Sequence, residues 1–259
     1  MHAVLAPLAV TGTCLSLRVP RRRAFTLEEL VAAGSLPPGV APWVQAIVHA
    51  RLAVLVTGGT GTGKTTWLTT LLGLCDRGDR IVVVEDSAEL DPDHPHVVRL
   101  EARPPNIEGA GAVTLRDLVR QSLRMRPDRI VVGEVRGAEI VDLLAALNTG
   151  HEGGCATVHA NAARDVPARL ESLALAAGLP RDALHAQLAA GLDVVVHLVR
   201  DRDGRRRWSS LSVAVRSGGH TEVVDALSWP SPGGPVVAGD GLGVLEARLG
   251  DRAPRGGVR

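Results

Sequence analysis

Residues 58–65 constrain the fold more than any other segment, because they read GGTGTGKT and satisfy the pattern G-x-x-x-x-G-K-[ST]. The segment lies between a continuous apolar run at 52–57, which predicts a buried parallel strand, and a helical pattern that begins at Lys64. Glycines let such a loop wrap so that its backbone N–H groups point at phosphate oxygens, and the helix N-terminus adds partial positive charge. The segment therefore predicts a phosphate-binding loop of the Walker A type.

Lys64 is the only lysine among the 29 basic residues of the chain, and all the others are arginine. The lysine of such a loop reaches the β- and γ-phosphates of a nucleotide, and the hydroxyl after it is a Mg²⁺ ligand, here Thr65. A purely structural glycine-rich turn is the alternative. The predicted nucleotide-binding residues of the loop are Gly59, Thr60, Gly61, Thr62, Gly63, Lys64, Thr65 and Thr66.

After the loop, strand and helix patterns alternate along the chain. Such alternation predicts crossover units, and hence an α/β fold with a mainly parallel sheet covered by helices on both faces. A hairpin at residues 201–204 then joins the last parallel strand to a strand at 208–215, and 221–227 adds an edge strand. Strands are predicted at 80–85, 97–101, 129–134, 155–159 and 193–199, and helices at 64–75, 114–125, 138–148, 164–177 and 181–190.

Two acidic residues follow predicted core strands, at the sheet edge where α/β proteins hold their ligands. Phosphoryl transfer needs carboxylates for Mg²⁺ and for the attacking water. Glu134 ends the strand at 129–134 and is the Walker B candidate, against the alternative of a solvated acid. Glu89 belongs to an acidic cluster after the strand at 80–85, and its position alone leaves a catalytic and a structural role equally open.

Three other residues are candidates on weaker grounds. His159 ends a predicted strand, where a lone histidine is more often structural than functional. Arg99 and Arg103 flank Glu101 and fit either a solvated surface or a phosphate contact across a subunit boundary.

Composition excludes several classes of protein. The 29 basic and 28 acidic residues leave no global charge that would favour nucleic acid, and aromatic residues make up only 2%. Cys14, Cys75 and Cys155 are scattered without C-x-x-C spacing, which argues against disulfides and zinc and fits the cytoplasm. No apolar stretch reaches the length of about 18 residues that predicts a transmembrane segment.

Taken together, the motifs resemble the type II and type IV secretion and pilus ATPases, and within them the tight-adherence (Flp) pilus assembly ATPases. The resemblance covers residues 3–227. It rests on GGTGTGKTT at 58–66, VEDSAEL at 84–90, RLEARPPN at 99–106, RMRPDRIVVGEVRG at 124–137, and NTGHEG at 148–153 with TVHAN at 157–161.

This resemblance implies a RecA-like ATPase domain that works with ATP and Mg²⁺ as a homo-hexameric ring. The ring is expected at the cytoplasmic face of the inner membrane, with platform proteins of a pilus or secretion machine as partners. The matched positions make Glu89 the acid that activates water, Glu134 the acid near Mg²⁺ and His159 a γ-phosphate sensor. Arg99 and Arg103 become interface arginines, and residues 25–27 lie where the interdomain link passes the adenine.

Four segments follow from this alignment: 1–19 as a remnant of an N-terminal domain, 20–50 as interdomain link and helices, 51–229 as the ATPase domain, and 230–259 as a disordered tail. Family members carry a whole domain before the ATPase domain, and here only its last strands match. Either the gene is truncated or its start was assigned inside a longer frame.

The sequence thus predicts ATP hydrolysis that powers pilus assembly or protein secretion, without nucleic acid. Two alternatives remain open. One is a conjugation-type DNA-transfer ATPase, since the same ring could act on another substrate. The other is a nucleotide-binding subunit that hydrolyses little because the N-terminal domain is missing.

Overall fold

A twisted sheet of nine strands organises the chain in this computed structural model, which describes residues 2–17 and 24–254. A separate pair of short strands precedes it. The strands are β1 His2–Val4, β2 Cys14–Ser16, β3 Val54–Gly58, β4 Ile81–Glu85, β5 Val97–Glu101, β6 Arg129–Val132, β7 Cys155–Val158, β8 Val194–Arg200, β9 Arg206–Ser217, β10 His220–Ser228 and β11 Val237–Ala238. The helices are α1 Leu27–Ala32, α2 Ala41–His49, α3 Lys64–Gly73, α4 Leu115–Ser122, α5 Glu139–Leu147, α6 Val166–Ala176, α7 Arg181–Gly191 and α8 Leu242–Leu249.

The strand order is β11-β10-β9-β8-β3-β7-β6-β4-β5. Strands β8, β3, β7, β6, β4 and β5 run parallel to one another, and β9, β10 and β11 extend the sheet antiparallel. The predicted α/β class with a mainly parallel sheet is confirmed. Strand β3 lies inside the sheet, between β7 and β8, so the segment that leaves it emerges from the middle of the carboxyl edge.

Apolar residues cover both faces of the sheet, as a parallel sheet requires. All five residues of β3 are buried, and their alternation sends Val54 and Val56 into one core cluster and Leu55 into the other. The first cluster contains residues of α1, α2, α3 and α8, and the second contains residues of α4, α5, α6 and α7. Helices on both faces therefore hold β3 in place.

A buried ion pair holds the amino edge of the sheet, opposite the end where β3 leads into the glycine-rich loop. The Nε atom of Arg129, at the start of β6, donates to Asp79 at 2.8 Å, and Nη2 donates to the Val48 carbonyl at 2.9 Å. Arg51 also pairs with Asp79. Both Arg129 and Asp79 are buried, and the hydrogen bonds compensate the cost of removing their charges from water.

The amino-terminal strands β1 and β2 pair antiparallel, and this pair leaves Leu5, Leu8 and Val10 exposed. Its origin as the remnant of a larger domain stays a prediction. The basic residues 21–23 of the proposed interdomain link lie outside the described residues. Helix α1 begins with a capping box, in which Thr26 and Glu29 exchange hydrogen bonds.

The carboxyl-terminal segment differs from the predicted disordered tail, which was to begin at residue 230. Strand β11 pairs with β10, and α8 buries Leu245 and Leu249 in the first core cluster. Arg248 donates to the Ala214 carbonyl at 2.6 Å. The prediction was wrong because it gave more weight to the Gly- and Pro-rich composition than to the spacing of the leucines, which places them on one face of a helix. Residues 255–259 lie outside the described residues.

Replacing Leu245 tests whether this helix belongs to the core. We expect Leu245→Ala to lower the free energy of unfolding by about 2–5 kcal/mol, because a fully buried leucine leaves a cavity. Urea unfolding followed by circular dichroism measures the change. Val244→Ala, on the exposed side of the same helix, should change it by less than about 1 kcal/mol. Equal effects of the two substitutions would contradict the buried position of α8.

Candidate nucleotide-binding site

The candidate site lies at the carboxyl edge of the sheet, where four neighbouring parallel strands deliver its residues. Strand β3 leads into the glycine-rich loop, β7 ends just before His159, β6 ends two residues before Glu134, and β4 ends with Glu85. Because parallel strands end at the same edge, residues far apart in sequence become neighbours there.

The backbone of the loop depends on glycine at its two ends. Gly58 has φ +147°, and a Cβ atom on it would lie 2.4 Å from the Leu198 carbonyl oxygen of β8. Gly63 has φ +98° and immediately precedes helix α3, which begins at Lys64. Side chains are strained at both positions, so the loop can wrap in front of the helix N-terminus only as glycine. This is the strand–loop–helix context that the motif requires.

Lys64 folds back over the loop and is buried. Its Nζ atom donates to the carbonyls of Gly58 and Gly59, both at 3.0 Å, and contacts Nδ1 of His159 at 3.2 Å. Burial lowers the pKa of Lys64, and the Glu134 carboxylate opposes that shift. The ammonium is thus aimed at the mouth of the loop, where phosphate oxygens can accept the same protons.

His159 connects Lys64 to Glu134. The ammonium of Lys64 can only donate, so Nδ1 of His159 accepts and the ring proton lies on Nε2, which is 2.7 Å from Oε1 of Glu134. Burial and the nearby Lys64 charge lower the pKa of His159. The neutral ring therefore lies between the cation of the loop, 3.2 Å away, and the acid at the end of β6, 2.7 Å away.

Glu134 is held in its ionised form. Burial by itself would raise the pKa of Glu134, but a 2.6 Å hydrogen bond from Arg136, with His159 and Lys64 nearby, brings that pKa below its usual value. Arg136 also lies 3.7 Å from Asp86, so it joins the end of β6 to the segment after β4. Sequence reasoning missed Arg136, although its place two residues after a Walker B acid was a usable signal.

The segment that carries Glu89 is shaped by Glu85. The Glu85 carboxylate accepts the backbone N–H groups of Glu89 and Leu90, at 3.2 and 3.1 Å. It is buried, which raises the pKa of Glu85. A Cβ atom on Gly133 would lie 2.7 Å from Cγ of Glu85, so the glycine before Glu134 makes room for it. Glu89 is half-buried and close enough to Arg136 to affect its pKa.

Arg99 and Arg103 are not brought to the loop of their own chain. They lie on and just after β5, four strands away from β3, which is about 19 Å at ordinary strand spacing. Arg99 pairs with Asp91, and Nε of Arg103 donates to the Gly111 carbonyl at 2.9 Å. Both side chains are exposed. They are therefore accessible to another molecule at the β5 edge of the sheet.

Two other arginines, missed by sequence reasoning, lie next to the loop. Nη1 of Arg200 is 3.9 Å from where a Cβ of Gly61 would lie, and Cδ of Arg206 is 3.8 Å from the corresponding point at Gly63. Arg200 is the last residue of β8 and Arg206 the first of β9, and only the tertiary structure places these strand ends beside the loop. They add positive charge at the entrance of the site.

The residues proposed for Mg²⁺ fit that ion in their chemistry. Thr65 follows Lys64 at the start of α3, and Glu134 offers an ionised carboxylate at the end of β6. Within the described ranges, no group of three or more His, Cys, Asp or Glu side chains could hold a metal. Mg²⁺ bound together with nucleotide phosphates needs only one or two protein oxygens.

Comparison with known proteins decides the family. A family model described as "Type II/IV secretion system protein" matches residues 3–224. The chain belongs to this family. The resemblance to secretion ATPases that the motifs suggested is therefore confirmed.

Among curated proteins, the chain is 60% identical over 224 residues to a putative conjugal transfer protein of Mycobacterium tuberculosis, covering 86% of this chain and 64% of the relative. It is 36% identical over 237 residues to the type IV secretion system protein PtlH of Bordetella pertussis, covering 80% and 69%. The chain thus spans less than two thirds of the length of the mycobacterial relative.

Solved structures show the same fold. The VirB11 ATPase of the Brucella suis type IV secretion system, in complex with sulphate, superposes with a TM-score of 0.58 at 29% identity and covers 75% of this chain and 64% of that one. The pilus retraction motor PilT with bound ADP superposes with a TM-score of 0.57 at 24% identity and covers 77% and 55%. Within the described residues of the present chain, no helix is long and apolar enough to cross a membrane.

The lowered pKa of His159 predicts a dependence of stability on pH. As the pH falls through 6.5, the ordinary pKa of histidine, His159 becomes protonated in the unfolded chain but stays neutral in the folded one, where its pKa is lower. Folding stability is therefore lost as the pH falls through that range. We expect the melting temperature to fall between pH 7.5 and 5.5, and to fall less in His159→Gln. If the melting temperature fell equally in the parent protein and in His159→Gln, His159 would contribute nothing to the dependence of stability on pH.

Proposed function

We propose that this chain hydrolyses ATP with Mg²⁺ and that the hydrolysis powers a secretion or pilus machine. The observation that carries the proposal is the link from Lys64 through His159 to Glu134, which joins the phosphate loop to the acid at the end of β6. A structural glycine-rich turn has no need of a buried lysine connected to an ionised carboxylate. Membership of the secretion family supports the same reading.

Each side chain then has a defined task. The backbone N–H groups of the loop and the ammonium of Lys64 bind the β- and γ-phosphates. Thr65 and Glu134 hold Mg²⁺, which when bound neutralises charge that develops on the phosphates. Glu89 accepts a proton from the attacking water, and His159 responds to the γ-phosphate because it touches both Lys64 and Glu134.

Arg99 and Arg103 support a ring in which one subunit completes the site of the next. They are too far from the loop of their own chain, and both are exposed, on or just after the edge strand β5. Arginine stabilises phosphate charge across an interface through its planar, permanently charged fork. We propose that this ring is a homo-hexamer at the cytoplasmic face of the cell membrane with platform proteins of the machine as partners, as the resemblance to secretion and pilus ATPases implies.

Substitutions of Lys64 and of Glu89 should separate ATP binding from ATP hydrolysis. Lys64→Ala should abolish ATP binding or weaken it severely, because it removes the cation that faces the phosphates. Glu89→Gln should bind ATP normally and lose turnover, because an amide cannot accept the proton of water. Equilibrium binding of a fluorescent ATP analogue and release of phosphate from Mg-ATP measure the two effects. Glu246→Gln, on the exposed face of α8, is the matched control.

The dependence of ATP turnover on protein concentration distinguishes a self-sufficient ATPase from a subunit that only binds nucleotide. Phosphate release that rises faster than linearly with protein and vanishes in Glu134→Gln supports a ring with shared sites. ATP binding without turnover above that variant would instead favour a subunit that requires a further domain. Normal turnover in Glu89→Gln would remove Glu89 from its assigned role.

A second candidate is transfer of DNA by a conjugation-type machine, because the mycobacterial relative is named a conjugal transfer protein. The structure gives little support for direct contact with single strands, which stack on exposed aromatic rings. The chain has no tyrosine and a single phenylalanine. All four tryptophans, Trp43, Trp67, Trp208 and Trp229, are buried.

We therefore expect single-stranded DNA to leave ATP turnover unchanged. Phosphate release in the presence of a single-stranded oligonucleotide, at low and at physiological salt, measures this. Stimulation of ATP turnover that weakens steeply with salt would favour the DNA-transfer function, because contacts with DNA phosphates release counterions.

A further inference from the structure

Two arginines lie opposite each other on neighbouring strands beside the phosphate loop. Arg200 ends β8 and Arg206 begins β9, and the antiparallel register pairs these two residues directly. Both side chains are exposed. Like charges directly opposite one another on neighbouring strands repel, which lowers the stability of the sheet. An anion bound between the two guanidinium groups would offset this repulsion.

The acidic residues of the same hairpin do not neutralise the pair. The carboxylate of Asp201 is 2.9 Å from Nε of Arg207 and is engaged there. Oδ1 of Asp203 accepts the backbone N–H of Arg205 at 2.9 Å. Within the part of the chain that the structure describes, no ion pair involves either of the two opposed arginines. Their positive charge is therefore available to a ligand.

The pair lies against two glycines of the loop. Nη1 of Arg200 is 3.9 Å from the point where a Cβ atom of Gly61 would lie, and Cδ of Arg206 is 3.8 Å from the corresponding point at Gly63. Gly63 immediately precedes helix α3, whose N-terminus carries partial positive charge. The arginines and the helix N-terminus thus concentrate positive charge at one place, which favours binding of a phosphate group.

The backbone that carries Arg206 is held in place by the core. The Ser35 hydroxyl donates to the Arg206 carbonyl at 2.9 Å, and the Trp208 backbone N–H donates to the Ser35 carbonyl at 2.8 Å. Trp208 is fully buried in the first core cluster. The side chain of Arg206 therefore starts from a fixed strand, so binding of a phosphate has to order only the side chain.

The groups assigned to the γ-phosphate and Mg²⁺ lie on the opposite side of the loop. His159 and Glu134 follow β7 and β6, whereas β8 and β9 lie on the other side of β3. We propose that Arg200 and Arg206 bind the α- and β-phosphates of the nucleotide from the β8 side. This assignment rests on the proposed ATP site and extends it to residues outside the loop motif.

Substitution of either arginine should weaken the binding of ADP and ATP to the same extent, because the two nucleotides share the α- and β-phosphates. We expect Arg200→Ala and Arg206→Ala each to raise the Kd for Mg-ADP at least about fivefold, since each removes a charge-assisted hydrogen bond to phosphate. The KM for ATP should rise with it and kcat should change little, because a contact made equally with substrate and transition state affects binding alone. Titration calorimetry measures the Kd, and phosphate release measures kcat and KM.

Arg216→Ala is the matched control. Arg216 is exposed at the far end of β9, roughly 33 Å from Arg206 at the ordinary rise of a strand. Its replacement removes the same charge far from the loop, so the Kd for Mg-ADP should stay at the parent value. Arg206→Lys keeps the charge without the planar fork, and its Kd should lie between those of the parent and Arg206→Ala.

The melting temperature separates a loss of ligand from a loss of fold. Without nucleotide, Arg206→Ala should melt at the parent temperature or above it, because the substitution removes one of two opposed like charges. Mg-ADP at one fixed concentration should raise the melting temperature less in this variant than in the parent, because the variant binds it more weakly.

Three results would overturn the assignment. One is an unchanged Kd for Mg-ADP in both Arg200→Ala and Arg206→Ala, and another is an equal rise in Arg216→Ala. The third is a fall in kcat with an unchanged Kd for Mg-ADP, which would place the arginines at the γ-phosphate instead.

The same measurements distinguish this assignment from the proposed hydrolysis. If the parent protein binds Mg-ADP but releases no phosphate from Mg-ATP, the hydrolysis is contradicted, and the Kd values of the arginine variants still decide the assignment. If the parent hydrolyses ATP and both arginine variants bind Mg-ADP as the parent does, only the assignment fails. A parent that binds no Mg-ADP would contradict both.

Discussion

The site depends on the position of β3 inside the sheet, between the strand that delivers His159 and the strand that carries His197. Because its neighbours are parallel to it, their carboxyl ends lie around the loop that β3 leads into. The sheet also restricts the loop directly, since the Leu198 carbonyl of β8 leaves no room for a side chain on Gly58. Gly58 is therefore required by the neighbouring strand as well as by the loop motif to which it belongs.

Charges of opposite sign alternate across the mouth of this loop. Lys64, the neutral ring of His159, Glu134, Arg136 and Asp86 follow one another in contact. Burial disfavours the charge on Lys64 and on Glu134, and in each case a neighbour of opposite sign opposes that effect. The arrangement keeps a cation and an anion ready at the same edge, which a site for nucleotide phosphates and Mg²⁺ requires. His197 and Thr57 contact each other beneath the loop, on the buried side.

Much of this could be predicted from the sequence, since the loop motif, the strand–helix alternation and the acid after β6 are all local signals. The predicted α/β class is confirmed, and the structure brings Lys64, His159 and Glu134 into contact. The helix at the carboxyl end was not predicted, because glycine and proline dominate the composition around it. Glu85 and Arg136 were missed as parts of the site. Each acts through a partner that no sequence pattern specifies, namely the backbone of Glu89 and the carboxylate of Asp86.

The sequence by itself determined the chemistry of the loop, because its glycines, lysine and threonine are adjacent residues whose roles follow from local backbone geometry. It also determined the class of fold, because periodicity is a property of each segment. Only the tertiary structure decided which side chains meet at the loop and which stay away from it. The contacts of His159 with Lys64 and Glu134, and the separation of Arg99 and Arg103 from the loop, follow from the order of strands in the sheet. That order is set by packing between segments distant in the chain.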